Sequence, residues 1–89
     1  MSLKGIFGKN IKYYRFKRHL TQENLAELTE LSPRYISNIE TGTGNVSLDT
    51  IELLAKALDV RYQDLFSLEN EEIKIKKVNM KEEKWKQPQ

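Results

Sequence analysis

Ser32-Pro33 separates two short apolar-periodic segments and leaves almost no chain between them. The serine hydroxyl can accept from the amides that a helix's first turn leaves unpaired. Proline at the first helical position needs no donor and already has a helical φ. A helix is therefore predicted from about Pro33 to Glu40, with Gly42 supplying the break after it. Upstream, Thr21 offers a similar cap, and Gln22, Glu23 and Asn24 make the first turn of another helix. Leu25 and Leu28 are expected to point one way from it, and Ala26 is small where a neighbour can approach. About three residues join the two segments, which suits two helices meeting at a tight turn.

The rest of the first 68 residues divides in the same manner. A first helix is predicted over about Ile6–Arg18, with Phe7, Ile11 and Tyr14 on one stripe at helical spacing. Ser47 caps a fourth, on which Leu48, Ile51, Leu54, Ala55 and Leu58 form an apolar stripe. A fifth, about Arg61–Phe66, adds Leu65 and Phe66, and Leu68 closes the domain. No strand signal precedes residue 70, so the expected class is all-α. From Glu69 the composition changes to lysine and glutamate, with Ile73 and Ile75 alternating with Lys74 and Lys76 before Val78, Met80 and Trp85. That tail, residues 69–89, reads as a dimerising strand, a strand against the domain, or a disordered segment; residues 72–78 leave the choice open, and beyond about Asn79 disorder is expected.

Eighty-nine residues make one domain, which at this size buries only about 60% of its unfolded surface. Without cysteine there is no disulfide or thiolate metal site, and a reducing, cytoplasmic setting is expected. No apolar run approaches the roughly 18 residues of a membrane span, so no membrane partner is expected. Net charge is only +2, but it is unevenly placed. Residues 1–20 carry Lys4, Lys9, Lys12, Arg15, Lys17 and Arg18 with no acid, whereas residues 21–70 carry nine acids against three bases. A basic first helix on an acidic body can steer a polyanion to one face; an ordinary solvated helix carries the same charges.

The helix over residues 33–41 has two faces. Ile36 and Ile39 anchor it inward, while Arg34, Ser37, Asn38 and Thr41 recur at i, i+3, i+4 and i+7. A guanidinium, an amide and hydroxyls are the groups that match guanine O6 and N7, adenine N6 and N7, and phosphate oxygens. Tyr35, at the edge, can reach a phosphate or a thymine methyl. Any surface helix has a polar face, however, and this one becomes informative only through its surroundings.

Those surroundings are Thr21-Gln22-Glu23-Asn24-Leu25-Ala26-Glu27-Leu28, then Leu31-Ser32-Pro33-Arg34-Tyr35-Ile36-Ser37-Asn38-Ile39-Glu40-Thr41-Gly42, then Ser47-Leu48-Asp49-Thr50-Ile51 and Leu54-Ala55-Lys56-Ala57-Leu58. In order and spacing, residues 5–68 resemble the Cro/cI-type (Xre-like) helix-turn-helix family. The resemblance implies a five-helix, lambda-repressor-like DNA-binding domain over residues 1–68 and a transcriptional regulator, most simply a repressor. It implies that Gln22 binds a phosphate, that Arg34 and Asn38 read base edges with Ser37 and Tyr35 beside them, and that Thr43 and Asn45 grip phosphate. Lys9, Lys12 and Lys17 would add phosphate charge. Arg15 and Glu40 match a structural pair that joins the first helix to the end of the third. The sequence departs from the family where glycine is common after helices: His19, Glu30 and Asp59 stand there. Histidine and aspartate visit left-handed φ readily, but glutamate does not, and about 1 kcal/mol of strain is expected if Glu30 adopts it.

No enzyme is expected and no cofactor or metal is implied. His19 is the sole histidine, and Glu23, Glu27 and Glu30 suit a solvated helix face better than a metal site. The partner expected is double-stranded DNA. One recognition helix reads too few base pairs to find a site in a genome, so a homodimer on paired half-sites is expected. Phe66, Leu68, Ile73 and Ile75 are the candidates for its interface. The rival reading is a protein-interaction module of the same fold, such as an antitoxin that neutralises a partner toxin.

Overall fold

A hydroxyl caps the start of every α-helix. Ser2 Oγ accepts from the Gly5 amide (3.0 Å) and opens α1, Leu3–Lys17. Thr21 Oγ1 accepts from Asn24 N–H (2.9 Å) while Asn24 Oδ1 accepts from Thr21 N–H (3.0 Å), so α2, Gln22–Thr29, opens on a reciprocal box. Ser32 caps α3, Pro33–Glu40, at the Tyr35 amide, and Ser47 caps α4, Leu48–Leu58, at the Thr50 amide. The computed structural model describes residues 2–69, and among these it is all-α, with no strand. The tail readings, including Ile73, Ile75 and Trp85, lie outside the described residues.

Two expectations about the elements are corrected. α1 begins three residues before Ile6, because Ser2 rather than a later residue supplies the cap. The fifth helix is a 3-10 turn, Tyr62–Phe66, closed by an i to i+3 bond from Asp64 N–H to the Arg61 carbonyl (3.0 Å). Five residues leave little room for α-type pairing. The Arg61 guanidinium, then its backbone amide, holds the Asp64 carboxyl below its usual range.

Four helical segments end in one way. His19, Glu30, Gly42 and Asp59 have φ of +59°, +61°, +83° and +58°. The next residue's N–H then returns five residues back: Leu20 to Arg15, Leu31 to Ala26, Thr43 to Asn38 and Val60 to Ala55, at 3.0–3.2 Å. After the three non-glycine stops the returning residue is apolar and half-buried against the core, the hydrophobic contact that accompanies this cap. Glu30 thus takes the left-handed conformation with an exposed side chain. Glu30→Gly removes that strain but loosens the unfolded chain, and a net stabilisation of about 0.5–1 kcal/mol is expected in urea unfolding. A loss of stability would show that the glutamate side chain offsets the strain.

The core is Phe7, Ile11, Leu25, Ala26, Ile36, Ile39, Leu54, Ala55, Leu58 and Leu65. α1 packs on α3 and on the 3-10 turn, and α2 packs on α3 and α4. Leu28, Leu48 and Leu68 depart from expectation, being 57%, 81% and 61% exposed. On α2 the inward face is Leu25, Ala26 and Thr29, and the Thr29 hydroxyl is buried by donating to the Leu25 carbonyl (2.8 Å). Leu48, next to the cap, projects before the stripe of α4 turns inward at Ile51 and Leu54. Phe66 is not free for an interface in the way expected: its ring packs 5.3 Å from that of Phe7. On α1, Tyr13 is buried and Tyr14 only half-buried, their rings in edge contact.

Candidate nucleic-acid interface

The orientation of α3 follows from what lies behind it. Ile36 and Ile39 are fully enclosed, and α1 presents Gly8 to the end of the helix. A Cβ on Gly8 would stand 2.1 Å from the Ile39 carbonyl oxygen and 3.0 Å from that of Glu40, so the two backbones touch there. Beside this contact Arg15 and Glu40 form a buried fork. Nε donates to Oε2 at 2.6 Å and Nη2 to Oε1 at 3.0 Å, with side chains 7% and 3% exposed. Nη1 of Arg15 donates to the Leu20 carbonyl (2.7 Å), tying the same guanidinium to the turn before α2. A planar, five-donor group can serve both contacts; a lysine could not.

With its inner face fixed, α3 turns Arg34 and Asn38 fully outward and Ser37 and Tyr35 partly so. The loop after it is folded back on the helix. The Asn38 carbonyl accepts from the Thr43 and Gly44 amides (3.0 and 3.1 Å) and from the Thr41 hydroxyl (3.1 Å), leaving the Asn38 side chain to face solvent. The Tyr35 hydroxyl donates to the Asn45 carbonyl, pinning the far side of the loop. Tyr35 therefore holds the loop in the unbound protein, and Asn45 keeps its side chain exposed.

The expected phosphate contacts are not equally placed. Gln22, at the first turn of α2, is half-buried, and its Nε2 donates to Glu40 Oε1 (3.1 Å). Thr43 is exposed, but its amide donates to the Asn38 carbonyl, and its hydroxyl lies 3.2 Å from both that carbonyl and Thr41 Oγ1. Gly8 and Arg15 of α1 meet the end of α3, and Lys12 lies between them on the same stripe. Lys9 is exposed one step around the helix. Lys17 falls nine residues beyond Gly8, about half a turn away at roughly 100° per residue, and its ammonium stands over the Tyr13 ring, 5.6 Å from the centroid. It does not share the α3 side. The bond from Gln22 to Glu40 carried no sequence signal, since two residues eighteen apart meet only through the fold.

A helix-turn-helix family model matches residues 11–65. The chain belongs to the helix-turn-helix family. Control protein C.BamHI of Bacillus amyloliquefaciens is 45% identical over 65 residues, which span 72% of this chain and 80% of that protein. Among solved structures, the restriction-modification controller protein C.AhdI from Aeromonas hydrophila has a TM-score of 0.68 and 40% identity, covering 71% of this chain and 96% of its own. The controller protein C.Esp1396I, solved as a tetramer with its natural 35 base-pair operator, has a TM-score of 0.66 and 33% identity, with 74% and 87% covered. The protein is a DNA-binding transcriptional regulator.

Proposed function

We propose that the protein is a dimeric repressor that reads the major groove with α3 and controls a restriction–modification operon of its own. The observation that carries the reading is the two-sidedness of α3: Ile36, Ile39 and Glu40 are locked inward, so Arg34 and Asn38 have a fixed outward aim. In this reading Arg34 takes guanine O6 and N7, Asn38 takes adenine N6 and N7, and Ser37 and Tyr35 contact neighbouring bases or their backbone. Gln22, Lys12, Lys9, Thr43 and Asn45 hold phosphates. Residues 1–68 form the DNA-binding domain and residues 69–89 an appended lysine- and glutamate-rich segment. Two copies meet on the surface around the 3-10 turn, where Tyr62, Leu53 and Leu68 are exposed apolar groups. The protein binds rather than catalyses, and a nucleic-acid target places it in the cytoplasm. No helix among the described residues is long and apolar enough to cross a membrane. The operon assignment draws on the likeness to the controller proteins, and one duplex tests it: the DNA upstream of the chain's own gene.

Two measurements follow. On a duplex bound by the wild type, Arg34→Ala should cost about 1–3 kcal/mol and flatten base preference at one position per half-site. Equal weakening on every duplex would instead make Arg34 a phosphate contact. Because Arg34 is the only cation projecting from α3, the log–log dependence of affinity on salt should be no steeper than about −6 for residues 1–70, at about 0.9 per phosphate. A steeper slope would require more cations at the interface than α1 and α3 supply.

A further inference from the structure

Glu40 does more than neutralise Arg15. Its Oε1 accepts from Arg15 Nη2 at 3.0 Å and also from Gln22 Nε2 at 3.1 Å, so one carboxylate joins α1, the end of α3 and the start of α2. We infer that Glu40 is a positioning residue for DNA backbone binding, acting by fixing which end of the Gln22 amide faces the phosphate. This rests on the phosphate role of Gln22 proposed above.

The chemistry is a matter of donors. A glutamine amide has an NH2 end with two donors and a carbonyl end with none, and a phosphate oxygen accepts from the first and repels the second. A lone glutamine at a helix start presents either end. Here the Arg15 fork holds the carboxylate in one orientation, and the side chains of that pair are at least nine-tenths buried. The carboxylate can only accept, so it draws the NH2 end of Gln22 toward itself. One N–H is consumed by Oε1, and the second remains for a phosphate. Gln22 is the first residue of α2, where the helix's partial positive charge also favours an anion. Glu40 itself, buried and negative, touches no DNA; its effect on affinity passes through Gln22.

The test is a double-mutant cycle on a duplex that the wild type binds, with Gln22→Ala, Glu40→Gln and the two combined. Affinities are measured below each variant's unfolding midpoint. Gln22→Ala should weaken binding about tenfold, the size of one hydrogen bond to a charged group. Glu40→Gln should weaken it several-fold, and the double variant should bind within about twofold of Gln22→Ala alone. Losses that multiply would overturn the positioning role while leaving DNA reading by α3 intact. No duplex preference in the wild type would overturn the reading itself, and the positioning role with it. Should Glu40→Gln not fold, the wild type answers alone. In the free protein, NMR should show one Gln22 amide proton exchanging more slowly than its partner, and the second should become protected only when duplex is added. Two protons exchanging alike before and after DNA would overturn the inference.

Discussion

Glu40→Ala should lower the unfolding free energy by about 3–5 kcal/mol, a large share of what a domain of this size has. The carboxylate and its partner guanidinium have both been taken out of water, at 3% and 7% exposure. Deleting one leaves Arg15 charged, buried and short of its fork partner. Changing both Arg15 and Glu40 to leucine removes the unpaired charge as well, so the double variant should lose less than Glu40→Ala does. Urea unfolding of the three proteins decides the matter. Equal or greater loss in the double variant would mean that Arg15 works mainly through the Leu20 carbonyl, to which it also donates at 2.7 Å. The same double variant should fold yet bind DNA poorly, because Gln22 then has no carboxylate to orient it.

Gly8→Ala should destabilise by about 2–3 kcal/mol, although alanine is the better helix former by about 1 kcal/mol. The added methyl would lie 2.1 Å from the Ile39 carbonyl oxygen, a backbone atom that cannot swing aside as a side-chain tip can. α1 and α3 must separate, which loosens the packing of Ile39 and lengthens the Arg15–Glu40 bonds. Gly5→Ala is the control. Its Cβ would meet only Ser2 Oγ, at 3.2 Å, so the helix-propensity gain should survive in part and stability should hold or rise. Thermal unfolding of both variants distinguishes a tight helix contact from a general intolerance of change in α1. A neutral Gly8→Ala would mean the helices are set further apart than described.

What the sequence made legible was local chemistry. Thr21, Ser32 and Ser47 each announce a helix start because a hydroxyl, an acceptor for orphan amides, stands just before a periodic segment. His19, Glu30 and Asp59 stood out because an Xre-like chain commonly has glycine there, and all three take positive φ. The pairing of Arg15 with Glu40 came from family resemblance, and the geometry of the fork bears out the contact. What stayed hidden depends on the third dimension. Nothing local explains two glycines in α1; only the approach of α3 gives Gly8 its reason. Leu28 was expected inside because apolar periodicity cannot tell which of two adjacent faces is covered, and Thr29 takes the inner place by satisfying its own hydroxyl. The displacement of Lys17 from the α3 side and the bond from Gln22 to Glu40 likewise follow from packing.

The most direct test is selection of bound duplexes from a random DNA pool, run side by side with the wild type and Arg34→Ala. If α3 reads bases in a dimer, the wild type enriches a two-fold-symmetric site with half-sites about one helical turn apart. Arg34→Ala then relaxes that site at one base pair in each half and leaves the remainder of the motif unchanged. If the wild type enriches nothing and binds only weakly and with salt sensitivity, α3 is not a base-reading helix, and its exposed face serves a protein partner instead.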